Sequence, residues 1–294
     1  MAPGLAAVAA ARGYTDLRLL GGGLEFLAYR AAAPDGARVV LRTPAGGRFR
    51  SNANDPRVDT RSLLRWEYAV SRHVADFGIP VATPRELLLG EPDVLVSNYV
   101  PDDGRDVDQR ALGRLLRRLH AIPPPRATPT AAEGLPAARL LPRRIRRRWR
   151  ELAAIVPDLP EEPDPARVAA TIAGRPGGCL VHLDVRAANL RGSDGEVTGL
   201  LDWSNALLAD PALELGRLAE YARLADNGLD LDAVLAGYGE TGPLDVDAAW
   251  VYRLDAALML AVVFTAEAPD GTRGAAAVDR LREVRERLLR AWDR

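Results

Sequence analysis

A chain of 294 residues, 48% apolar and 27% charged, can bury the core of one large domain or of two closely packed lobes. Its net charge of −1 excludes a global attraction to nucleic acid or to anionic membrane surfaces. Cys179 is the only cysteine, which excludes an internal disulfide and fits a reducing, cytoplasmic setting.

The N-terminal MAPGLAAVAAAR is apolar but has no basic leader, so it reads as the start of a helix rather than as a signal peptide. Leu17 to Leu20 runs into Gly21-Gly22-Gly23. Leu24 to Ala32 and Arg38 to Arg42 are extended runs around Pro34-Asp35-Gly36, the pattern of a β-hairpin. Residues 44–58 are rich in Gly, Arg, Asn, Asp and Pro and read as a loop. From Asp59 to Phe77, Leu63, Leu64, Glu67, Val70 and Val74 fall at helical spacing, with Gly78 as the stop. Glu86 to Leu89 and Asp93 to Val100 form a second hairpin about Gly90-Glu91-Pro92.

After Pro101-Asp102-Asp103-Gly104 the pattern turns helical. Asp108 to Ala121 is amphipathic and is stopped by Pro123-Pro124-Pro125. A connector runs to Glu133, and a strongly basic helix covers Arg143 to Ile155. Short strands at Leu180-Val181 and Val197 to Leu201 flank a polar segment, and the chain from Pro211 onward reads as helical. The longest apolar run, Ala256 to Phe264, is short of the ~20 residues a membrane span needs, so no membrane contact is expected. The expected fold class is α+β and bilobal: a small β-rich lobe with one main helix over residues 1–100, a hinge, and a larger helical lobe over residues 101–294.

The polar segment carries the chemistry: Val181-His182-Leu183-Asp184, then Asn189, then Leu201-Asp202-Trp203. Phosphoryl transfer needs an acceptor hydroxyl held in line and charge stabilisation on the phosphates. Asp184 can orient such a hydroxyl and take its proton. Asn189 and Asp202 offer the hard oxygen ligands that Mg²⁺ prefers. His182 would brace the loop by side-chain hydrogen bonds. The thirteen residues from Asn189 to Asp202 make room for a small hairpin turning at Ser193-Asp194-Gly195, which brings both ligands to one end.

This spacing resembles the kinase pattern H-x-D-x-x-x-x-N…D, and Asp202-Trp203 with the following Asp210-Pro211 is similar to the aminoglycoside phosphotransferase branch of the kinase-like fold. The likeness extends over most of the chain and includes Leu112 to Leu119-His120-Ala121. It implies ATP or GTP as co-substrate. It also implies a hinge at Leu95 to Gly104, with Ser97 and Tyr99 on the nucleotide, and phosphates under Gly21, Gly22 and Gly23. The family's phosphate-binding lysine falls at Arg42, because the chain contains no lysine, and the small lobe there resembles macrolide phosphotransferases. Glu67 is the expected partner of Arg42, ahead of Glu25.

Six arginines crowd positions 143–150, and the favoured reading is a solvated helix face, with a dock for an acidic substrate as the sharper alternative. Asp226, Asp230, Asp232, Asp245 and Asp247 read as scattered loop acids. His73 and His120 read as structural. The acceptor is expected to be a hydroxyl-bearing small molecule, with a Ser/Thr-containing peptide as the alternative. A non-catalytic nucleotide-binding protein is the third reading. The peptide reading is kept open by the arginine cluster and by the loop Ser51-Asn52-Ala53-Asn54-Asp55.

Overall fold

A computed structural model describes residue 2 and residues 4–129, 131, 133–239 and 246–294. Asp245 lies outside the described residues. The first hairpin forms where expected. Strands β2 (Phe26–Ala32) and β3 (Arg38–Pro44) pair antiparallel, placing Arg42 opposite Ala28. Their turn closes through Ala33 and Ala37, with Gly36 at φ 80° and the Asp35 carboxylate accepting the Ala37 N–H at 2.9 Å. With β1 (Thr15–Gly22), β6 (Pro84–Leu88) and β7 (Val94–Asn98) they make an antiparallel sheet in the order β1-β2-β3-β7-β6.

Alternation along β3 turns Val39 and Leu41 to one face, where they pack with Leu5 and Ala9 of helix α1 (Leu5–Ala11). The opposite face packs Phe26 and Leu95 against Leu64 of α2 (Thr60–Asp76). Asp59 caps α2 by accepting the Arg61 N–H. The loop expected over 44–58 contains one short ladder, β4 (Phe49–Arg50) with β5 (Val58–Asp59).

The larger half is helical. It contains α3 (Gln109–Ala121), α4 (Ala137–Ala153), α5 (Pro165–Ile172), α6 (Pro211–Tyr221), α7 (Leu231–Tyr238), α8 (Asp247–Val262) and α9 (Gly271–Trp292). Helices α3 and α7 touch through Gly113 and Gly237, where any Cβ would run into the facing backbone. Helices α4, α5, α6, α8 and α9 share one apolar core. Helix α8 continues through a π-turn to Glu267, and Asp247–Glu267 is long and apolar enough to cross a membrane. Two-thirds of its apolar window is buried inside the molecule, as a core helix would be.

Two small ladders sit at the junction of the halves: β8 (Cys179–Val181) with β11 (Leu207–Ala209), and β9 (Leu190–Ser193) with β10 (Glu196–Leu200). The basic helix starts earlier than the sequence suggests, at Ala137, because Pro142 sits inside α4 without ending it.

Candidate active site

Strand β8 delivers His182 into the junction, and β11 fixes β8 by pairing Val181 with Leu207. The chain then bends at Leu183, whose φ of 64° is costly for a branched side chain. Glu214, fully buried in the first turn of α6, holds this bend by accepting the N–H groups of His182 and Leu183. Burial alone would raise the Glu214 pKa, but the nearby imidazoles of His120 and His182 and the backbone donor outweigh it and hold it low.

His182 is also fully buried. Its Nδ1 accepts the Asp184 N–H at 3.1 Å, so the ring proton sits on Nε2, which donates to the Leu201 carbonyl at 2.9 Å. The ring stands edge-on to Trp203, with centroids 4.6 Å apart. One imidazole thus ties the segment before Asp184 to the segment before Asp202.

Asp184 is 8% exposed. Its carboxylate accepts the Asn189 amide at 2.7 Å and the Tyr221 hydroxyl at 3.1 Å, and it lies 3.2 Å from the Arg186 guanidinium. Burial pushes its pKa up, against the pull of Arg186, so its proton affinity exceeds that of an ordinary aspartate. Asn189 also donates to the Asp184 carbonyl, and its own carbonyl accepts from Leu201 at 2.8 Å. The β9–β10 hairpin therefore returns Asp202 to the Asn189 end, as the spacing implies.

Asp202 sits at φ 64° and accepts the Ser204 hydroxyl at 2.6 Å. Arg42 lies between two carboxylates, with Nη1 2.8 Å from Glu67 and Nη2 2.7 Å from Asp202. Its guanidinium also lies 4.5 Å from the Phe26 ring centroid. Burial opposes the charge on Arg42, but Asp202 and Glu67 together hold its pKa above the usual value. Asp202 is held below its ordinary range: burial works the other way, and Arg42 prevails. Burial pushes Glu67 up to about 7. Glu25 is not the partner of Arg42; it accepts from Asn52 at 3.3 Å.

Among the described residues no cluster of three or more His, Cys, Asp or Glu side chains is arranged to hold a metal alone. The Asn189 amide oxygen and the Asp202 carboxylate are two hard donors, a set that suits Mg²⁺ completed by phosphate and water oxygens. Gly21 and Gly22 end β1, and Gly23 closes the hairpin tip by donating to Phe26 at 2.9 Å; all three are exposed. Ser97 lies opposite Val40 and Pro84 on β7, and the Tyr99 N–H donates to Arg38 at 3.0 Å.

Three side chains at this site went unread in the sequence: Glu214, Tyr221 and Arg186. Glu214, Arg217 and Tyr221 recur at i, i+3 and i+7 on α6, which put them on one helical face.

The arginine helix corrects the expectation of a solvated face. Arg143, Arg146 and Arg150 are exposed, but Arg144 and Arg148 are each 7% exposed and pair with Asp255 of α8 at 2.6 and 3.0 Å. The later acids are not loop residues throughout. Asp230 caps α7, Asp232 lies in its first turn and Asp247 opens α8. The loop 51–55 docks on the larger half: the Asn54 N–H donates to Glu267 at 2.7 Å, and its carbonyl accepts from Arg147 at 3.2 Å.

Comparison with known proteins gives one family and many folds of the same kind. The model of the phosphotransferase enzyme family matches residues 16–250. A macrolide 2'-phosphotransferase of Brachybacterium faecium superposes with a TM-score of 0.53 at 22% identity, covering 95% of this chain and 97% of that one. A thermostable mutant of aminoglycoside phosphotransferase APH(4)-Ia, solved with ADP and hygromycin B, gives 0.63 at 15% identity, covering 95% and 96%. The gentamicin complex of APH(2")-IIa gives 0.63 at 15% identity, covering 94% of each chain. No curated protein sequence matches significantly. A family model that spans most of the chain, over a bilobal kinase-like fold, makes this protein a member of the phosphotransferase enzyme family.

Proposed function

We infer that the protein is a Mg²⁺-dependent O-phosphotransferase that moves the γ-phosphate of ATP or GTP to a hydroxyl of a small molecule. The observation that carries this reading is the convergence of Asp184, Asn189, Asp202 and the Arg42–Glu67 pair from five separate elements onto the junction of the two halves. In this reading residues 1–100 hold the nucleotide: Gly21, Gly22 and Gly23 over its phosphates, Ser97 and Tyr99 at its base. Residues 101–294 supply the catalytic loop and the acceptor pocket.

Asp184 takes the proton of the acceptor hydroxyl as that oxygen bonds to the γ-phosphorus and the bond to the β-phosphate oxygen breaks. Its raised proton affinity suits this task. His182 and Glu214 keep the loop in place. Arg42 stays tied to Glu67 through Nη1 and turns Nη2 from Asp202 to the phosphates. Asn189 and Asp202 would hold Mg²⁺, which neutralises charge on the transferring and leaving oxygens when bound. A nucleoside triphosphate co-substrate fits a cytoplasmic setting.

Of the two motives for the peptide reading, loop 51–55 is taken up by Glu267 and Arg147, which leaves the small-molecule acceptor favoured. The intact triad of side chains weighs against a non-catalytic protein.

Mg-ATP or Mg-GTP at about 100 times its Kd should stabilise the chain by about 2.7 kcal/mol in a thermal-shift experiment. No shift with either nucleotide would sink the reading. Asp184→Asn should cut transfer by roughly 10²–10⁴-fold with nucleotide affinity little changed, since this carboxylate acts on the acceptor.

A further inference from the structure

We propose that the side of the site next to Asp184 carries an anion subsite, in which Arg148 and Arg217 receive the acid group of a negatively charged alcohol. The proposal rests on the phosphotransferase reading and names the substrate class that reading leaves open.

Arg217 on α6 lies 3.5 Å from the Tyr221 hydroxyl, which itself donates to Asp184 at 3.1 Å. The guanidinium is thus one tyrosine hydroxyl away from the carboxylate that handles the acceptor. From Arg217 the network passes to Asp255 at 3.4 Å, and from there to Arg144 and Arg148. Three guanidinium groups surround one fully buried carboxylate, leaving an excess of two positive charges in a dry place.

Their bonding is unequal. Arg144 takes both Asp255 oxygens in a fork, at 2.9 and 2.6 Å. Arg148 has one contact to Asp255, and both contacts of Arg217 are long. The Nε groups of Arg148 and Arg217 are buried without a partner, as is that of Arg147 at the edge of the cluster. A buried N–H without an acceptor costs about 1–3 kcal/mol, and more when the group is charged. Burial and the neighbouring Arg144 push Arg148 down to about 9.

A cluster kept only for stability would do better with apolar side chains, or with one arginine for its one aspartate. A bound acid group supplies what is missing: negative charge and acceptor lone pairs beside Asp184. Arg147 is half-buried at the edge of the cluster, where its Nη groups donate to the Asn54 carbonyl and the Glu133 carboxylate while its Nε stays without a partner. Polycationic acceptors would meet repulsion here.

The test is calorimetric. The protein is saturated with Mg-AMP-PNP, so that the nucleotide site is filled, and titrated with sodium sulfate at constant ionic strength set by sodium chloride. A parallel titration uses spermidine. The expected result is saturable sulfate binding, no spermidine binding, and sulfate affinity reduced roughly tenfold or more in Arg148→Gln, with partial recovery in Arg148→Lys. Arg148→Gln should melt at or above the wild-type temperature, because it relieves buried repulsion; a merely structural arginine would give a lower melting temperature. Absence of saturable sulfate binding, undiminished binding in Arg148→Gln, or spermidine binding in place of sulfate each overturns the proposal. If Mg-AMP-PNP does not bind, the phosphotransferase reading fails separately, and the sulfate titration of the free chain still decides the anion subsite.

Discussion

Arg42 spans two carboxylates because a guanidinium is a fork. Nη1 and Nη2 reach Glu67 and Asp202 at once, which the single ammonium of a lysine does less well. Two acids share one cation, so their proton affinities separate. Asp202 stays ionised, while burial pushes Glu67 up to about 7, and its second oxygen has no partner. A free glutamate titrates at about 4.5, so the folded chain holds the Glu67 proton more tightly than the unfolded chain. That contribution to stability is fully present below pH 4.5 and is lost as pH rises through about 7. Glu67→Gln removes the titration. Its melting temperature relative to wild type should therefore rise between about pH 5 and about pH 8. A difference that is flat across this range would show that Glu67 does not carry the shift.

At the scale of elements, α6 organises the His182–Asn189 loop from beneath. Its first turn puts Glu214 under the strained Leu183 bend, and its last puts Tyr221 on Asp184. Glu214→Gln keeps the shape but turns an N–H₂ toward one backbone donor. The variant should lose about 2–4 kcal/mol of stability, and kcat should fall with nucleotide affinity retained. Thermal melts and steady-state kinetics check both; an unchanged kcat would mean that the bend holds without Glu214. The His182-Asp184-Asn189-Asp202 set was legible because it lies within 21 residues and its spacing is local. Glu214 and Tyr221 were visible as one face of a helix, but periodicity does not say what the face meets. The arginines of α4 misled for the same reason. Arg144 and Arg148 recur four residues apart, as exposed charges do, and only Asp255, an acid among the buried apolar residues of α8, marked where they go.

At the scale of the molecule, the bilobal layout was readable from the change of pattern after Pro101–Gly104, yet the two halves are less separate than a hinge suggests. Trp66, Val70 and Val74 of α2 share a core with Leu112, Leu116 and Trp203 of the larger half. Leu200 donates to Pro80 at 2.9 Å, and Arg42 reaches across to Asp202. Loop 51–55 adds a further tie: Asn54 bonds to Glu267 and Arg147, while Asn52 bonds to Glu25 beside the glycine tip. Side-chain chemistry alone could not announce this tie, because Asn54 makes it largely through its backbone. The strap is flanked by Arg50 and Arg57, which trypsin can cut once the segment lifts away. Glu267→Ala removes the acceptor for the Asn54 N–H. Cleavage after Arg50 and Arg57 should then speed up by roughly 5–10-fold, the effect of losing about 1–1.5 kcal/mol of local stability, while the global melting temperature changes little. If the glycine hairpin covers the nucleotide phosphates, as the proposed function has it, Mg-ATP should slow that cleavage, because Asn52 joins the strap to that hairpin through Glu25. An unchanged cleavage rate in Glu267→Ala would mean that the strap is held by Arg147 and the packing of Ala53 instead.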